Sequence, residues 1–199
     1  MRLVCAVALV VTLGGSEIER AQQVARGRDA EREQFHRRYL FDVKDDTVTQ
    51  IEVITEFRRL VLTTEDHLRL GDQLFSRGLR AAEAAMAPTR GLLTFKSKLR
   101  FHPQNNYVEI PDFRFALGPA ASSTMPAATS ALEVLDTDVS GEFSEPFKSR
   151  GGKKVKAILG ATLRADVPAS NIGQVTRPLG VVLDGKEIVR TAVDFARLD

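Results

Sequence analysis

Between Leu93 and His102 the side chains alternate without a break, and that pattern constrains the fold more than any other feature of the chain. Leu93, Phe95, Ser97, Leu99 and Phe101 take the odd positions, and Thr94, Lys96, Lys98, Arg100 and His102 take the even ones. Successive side chains of a strand point to opposite faces, so one set meets a core and the other meets water. A strand wet on one side belongs to an antiparallel sheet, because parallel sheets are covered on both faces.

The rest of the chain supplies partners for that strand. Val155, Ala157, Leu159, Ala161, Leu163, Ala165 and Val167 alternate with Lys156, Ile158, Gly160, Thr162, Arg164 and Asp166, which reads as a second long half-buried strand. Residues 47–62 are rich in Val, Ile, Thr and Phe and read as strand, with a helix through Ile51, Ile54, Arg58 and Val61 as the competing pattern. Residues 103–106 form a turn signal, and 107–117 return as a strand whose parity switches at Pro111, where a ladder donor is missing. Residues 131–139 are a further candidate strand, and 142–154 read as irregular.

Residues 176–195 read as a hairpin in which two local rules disagree. Asp184-Gly185 favours a two-residue type I′ turn pairing Leu183 with Lys186. The apolar residues are odd on both sides: Leu179, Val181 and Leu183 before the turn, Val189, Val193 and Phe195 after it. Exposing those side chains outweighs a turn preference, so the expectation is a three-residue loop with Gly185 left-handed in a bulge.

Two stretches read as helix. Ser16-Glu17-Ile18-Glu19 has capping-box spacing, and the charge-dense run to Arg38 follows with a narrow apolar stripe of Ile18, Ala21, Val24 and Ala25. Thr63-Thr64-Glu65-Asp66 resembles a helix start, with Leu68, Phe75, Leu79, Ala82 and Met86 at helical spacing and Pro88 and Gly91 ending it. The reading is a mainly β protein, an antiparallel β-sandwich of immunoglobulin-like pattern, with α+β as the alternative. No Cys…Trp…Cys core is available, since the chain has one Cys and no Trp. The expected organisation is a polar helix over 16–38 and a single β-rich domain over 39–199. That domain would carry a helical insertion near 64–87 and a flexible loop at 118–130.

The first residues place one arginine before the apolar run from Leu3 to Val11, with Gly14 and Gly15 after it. That is the layout of a secretory signal peptide, over residues 1–15, and it is too short to span a bilayer. The expectation is therefore an exported protein, periplasmic or extracellular, with no transmembrane span once processed.

The chemistry-bearing motifs are few. The chain holds no G-x-G-x-x-G, no H-E-x-x-H and no G-x-S-x-G, and Gly151-Gly152-Lys153-Lys154 is not a phosphate loop. A formal charge of +2 over 199 residues makes no general case for nucleic acid. The basic run from Lys148 to Lys156 reads either as contact with a polyanion or as lysines guarding a sheet edge. The candidate binding residues are Lys96, Lys98, Arg100 and His102 on one strand face, with Asn105 and Tyr107 at its end. These observations point to a non-enzymatic binding or structural module of the cell envelope, with no cofactor and no metal. Its partner would be an envelope protein, a glycan or a lipid headgroup. The alternative is a hydrolase-like enzyme with a site near His102.

Overall fold

The alternating strand sits where its pattern demands, between two others. In the computed structural model it is β3 (Leu92–Arg100), flanked by β2 (Val48–Ile54) and β9 (Ile158–Pro168), both antiparallel to it. The structure describes residues 15–71, 79–102, 104–105, 107, 109–120, 131–148 and 151–198. Residues 1–14 of the expected leader and 121–130 of the expected loop lie outside the described residues, as do Phe75 and Gly78 of the second expected helix. The described chain is mainly β, with antiparallel sheets that do not close into a barrel. Backbone contacts divide it into two compact units, one of residues 1–32 and 56–91 and one of 33–55 and 92–199.

The first unit is helical. α1 (Gly15–Ala25) buries Ile18, Ala21 and Ala25 and packs against α3 (Glu56–Arg69), which buries Phe57, Leu60, Val61 and Thr64. These are i, i+3, i+4 spacings, the stripe a helix needs to bury one side. The Arg20 guanidinium lies 4.1 Å over the Phe57 ring. α4 (Leu79–Met86) follows, and Arg59 donates to the Thr89 carbonyl at 3.0 Å.

Two expectations are corrected here. The charged stretch 16–38 forms two helices, α1 and α2 (Asp29–Arg37), which break at Gly27. Helix restarts where the Glu31 carboxylate accepts the Arg28 N–H at 3.0 Å. The strand expected over 47–62 ends at Ile54, and α3 begins at Glu56 rather than at Thr63. Thr63 and Thr64 do not start a helix but sit inside one. Their hydroxyls donate to the Arg59 and Leu60 carbonyls one turn back, at 2.8 and 2.7 Å.

The second unit holds both main sheets. β1 (Leu40–Asp42), β2, β3, β9 and β6 (Asp138–Phe143) form a five-stranded sheet in the order β1-β2-β3-β9-β6. β11 (Lys186–Asp194), β10 (Thr176–Leu183), β4 (Phe113–Leu117) and β5 (Glu133–Val134) form a four-stranded sheet in that order. One apolar core draws side chains from both sheets. The Phe95 ring lies 6.0 Å from Phe115 and 6.2 Å from Phe195, and Phe101 stacks on Phe113 at 5.9 Å. Phe95, Leu99 and Phe101 are buried and Lys98 is exposed, as the parity of β3 requires.

Other boundaries moved for identifiable reasons. The expected strand over 107–117 shortens to β4, which begins after Pro111 and joins β10 rather than returning beside β3. Pro111 has no ladder donor, and its carbonyl accepts the Phe113 N–H at 2.8 Å in a tight turn. The expected strand over 131–139 splits into β5 and β6, which pair in different sheets. Residues 142–154, expected to be irregular, are so only in part among the described residues. They include β7 (Phe147–Lys148), which pairs with β8 (Lys154–Val155) as a separate two-stranded ribbon. β9 starts at Ile158, and a register shift between Glu142 and Phe143 turns Ile158 inward and Leu159 outward, reversing the parity expected there. A one-turn helix, α5 (Ala169–Ile172), follows β9.

The C-terminal hairpin satisfies both competing rules by a route the sequence reading did not take. Leu183 pairs directly with Lys186 across a two-residue turn whose residues both have positive φ, 49° at Asp184 and 77° at Gly185. The expected three-residue loop is absent. A register shift beyond Val181 leaves Ile188 as the extra residue, so Val181 faces Val189 and Arg177 faces Val193. Val189, Val193 and Phe195 are all buried, and parity is restored away from the turn.

Candidate functional site

Strand register fixes the neighbours of each side chain on the outer face of β3. Lys96, half-buried, lies between Glu52 of β2 and Arg164 of β9, and Arg164 lies opposite Asp138 of β6. Lys98, exposed, faces Thr162. Arg100, also exposed, faces Gly160, across which stands Glu142. Arg164 donates to the Asp166 carboxylate at 2.9 and 3.1 Å, and the Thr94 hydroxyl donates to the other oxygen of the same group. The four cations Lys96, Lys98, Arg100 and Arg164 therefore share a face with the four carboxylates Glu52, Asp138, Glu142 and Asp166. The face is of mixed sign, a feature invisible when β3 is read alone.

Past Arg100 the chain bends into the segment carrying His102, Asn105 and Tyr107. Here main-chain and side-chain bonds hold it against the first residues of β9. The Phe101 N–H donates to the Leu159 carbonyl at 3.0 Å, and the Asn105 amide donates to the Ile158 carbonyl at 3.0 Å and the His102 carbonyl at 2.8 Å. The Tyr107 and Phe101 rings meet edge to face, with centroids 5.2 Å apart. His102 is exposed, and its Nδ1 accepts the Gln104 N–H at 3.1 Å. The structure thus brings His102, Asn105 and Tyr107 together at one end of the five-stranded sheet, while Lys96 lies inward along β3.

That same end carries residues the sequence reading did not single out. β6 and β9 pair through Phe143 and Ile158, and Ser144 and Ala157 continue the connection. The Ser144 N–H donates to the Ala157 carbonyl, and the Ser144 hydroxyl accepts the Ala157 N–H, both at 2.9 Å. The β7–β8 ribbon then forms the far end of this long hairpin. Tyr107, Phe143, Phe147, Val155 and Leu159 are each 38–52% exposed, large apolar side chains left in water along the β6–β9 hairpin, its terminal ribbon and the segment that packs on Phe101. Lys148, Lys153, Lys154 and Lys156 stand among them, all exposed. The signal was present as Phe147 before the basic run and Val155 within it, but glycines and lysines hid a pair of two-residue strands.

No three metal-ligating side chains come together among the described residues, and no described helix is long and apolar enough to cross a membrane. No protein-family model matches the chain, and no curated protein or solved structure is significantly similar to it.

Proposed function

We propose that this chain is an exported binding module of the cell envelope, non-enzymatic, built as an immunoglobulin-like β-sandwich. Its contact surface is the sheet end formed by His102, Asn105 and Tyr107 and the β6–β9 hairpin. The observation that carries the reading is the gathering of half-exposed Tyr107, Phe143, Phe147, Val155 and Leu159 at that end among four lysines. Water is a poor neighbour for such a group, and monomeric proteins keep exposed apolar patches small unless a partner covers them. Export rests on the charge–apolar–small layout of residues 1–15. The sandwich reading rests on two antiparallel sheets contributing to one core.

The hydrolase alternative asks more of His102 than its surroundings supply. A general base needs an orienting partner and a hydroxyl within hydrogen-bond reach. Among the described residues, the hydrogen bond of the His102 ring is the one its Nδ1 accepts from the Gln104 N–H, a local turn.

The test is a double substitution on the ribbon, Phe147→Ser with Val155→Ser. Both side chains are half-exposed, so the thermal unfolding midpoint should be nearly unchanged. Retention of the exported protein in the washed native envelope should fall. Full retention of a correctly folded variant would overturn the assignment of the surface.

A further inference from the structure

We infer that the β7–β8 ribbon docks on an anionic bilayer surface; this deepens, and rests on, the contact surface proposed above. Register makes the ribbon two-sided. Phe147 pairs with Val155 and Lys148 pairs with Lys154. Directly paired residues share a face and neighbouring residues along a strand do not, so one face is apolar and the other is basic. β3 pairs with β9 only as far as Gly160, and the ribbon beyond pairs with itself alone. Phe147, Lys148, Lys154 and Val155 are all exposed, so each face of the ribbon meets solvent.

Charge then selects the occupant. Lys148, Lys153, Lys154 and Lys156 are exposed, and none has an ion-pair partner among the described residues. This contrasts with the outer face of β3, where Lys96 pairs with Glu52 and Glu142 stands across Gly160 from Arg100. An element that enters an interface tip first brings both its faces to one depth. There the Phe147 ring and Val155 reach the acyl boundary while Lys148 and Lys154 extend to lipid phosphates. A single-stranded nucleic acid asks for a different layout, with rings and cations lining a common groove. Here they stand on opposite faces.

The experiment uses the full chain with phosphatidylcholine vesicles, with and without phosphatidylglycerol. The protein should sediment with the anionic vesicles and not with the neutral ones. Each lysine near an anionic surface strengthens partitioning by about fivefold at low salt, so Lys148→Gln with Lys154→Gln should weaken it by about 25-fold. The chain has no tryptophan, so Phe147→Trp creates a single fluorescent reporter at the apolar face. Its emission should shift to the blue on anionic vesicles. All variants share one N-terminus, so the differences report the ribbon. Unchanged Trp emission, or equal binding by the double-Gln variant, overturns the inference. Salt-dependent capture of an RNA oligomer or of dextran sulfate in place of vesicles overturns it as well. If vesicles fail while envelope retention still depends on Phe147 and Val155, the lipid identity falls and the contact surface stands; if both fail, both fall.

Discussion

Gly160→Ala offers a test whose sign alone decides. In an ordinary strand, glycine is weaker than alanine by about 0.5–1 kcal/mol, because glycine loses more backbone freedom on folding. A Gly160→Ala variant would then be more stable than the parent. At this position, however, a Cβ would lie 2.3 Å from the Leu99 carbonyl oxygen on β3. The obstacle is backbone of the central strand, not the end of a flexible side chain, so β3 and β9 must move apart. The affected ladder includes Leu99 against Ala161, Arg100 against Gly160 and the 3.0 Å bond from Phe101 to Leu159. Overpacking of this kind costs about 1–3 kcal/mol. For a chain of this size, that corresponds to a fall in Tm of roughly 2–12 °C. Urea unfolding of the variant beside Thr162→Ala, on the same face one pair along, isolates the clash, since Thr162→Ala should stay within about 0.5 kcal/mol. A stabilised Gly160→Ala protein would refute the β3–β9 spacing and with it the path that positions Leu159.

Three further outcomes are expected. Phe95→Ala, at a fully buried ring between Phe115 and Phe195, should cost about 3–5 kcal/mol in denaturant unfolding, against less than about 0.5 kcal/mol for Lys98→Ala. Gly185→Val places a β-branched residue at a φ of 77° and should destabilise by about 1–2 kcal/mol or more, whereas deleting Ile188 should leave a regular two-residue hairpin and be better tolerated. Equal losses for those two changes would mean the bulge is not where the register puts it. Mass spectrometry of the native protein should find an N-terminus near Gly15 or Ser16, and an intact Met1 on a cytosolic species would remove the case for export.

The sequence was most readable where one periodicity ran long and unopposed. From Leu93 on, the side chains of β3 alternate, and Phe95, Leu99 and Phe101 are buried as that alternation requires. Legibility failed where tertiary partners or single residues decided. The junction at Thr55 between strand and helix is hidden because Ile51, Val53, Thr55 and Phe57 fit a strand period while Ile51, Ile54, Arg58 and Val61 fit a helical one over the same stretch. The extra residue at Ile188 cannot be located from parity alone, since a loop or a bulge restores phase equally well. The neutralising carboxylates around Lys96 come from β2, β6 and β9, and no local pattern brings Glu52, Asp138 and Asp166 to one face. The ribbon was missed because two-residue strands lie below any periodic signal.

The most direct test of the central claim is site-specific photo-cross-linking in the native envelope. A photoreactive residue at position 147 lies on the ribbon, and one at Ser170 lies beyond the opposite end of β9 as an exposed control. The account predicts cross-links to an envelope component from position 147 and none from position 170. Cross-links from Ser170 alone, with position 147 silent in a folded and exported protein, would contradict it.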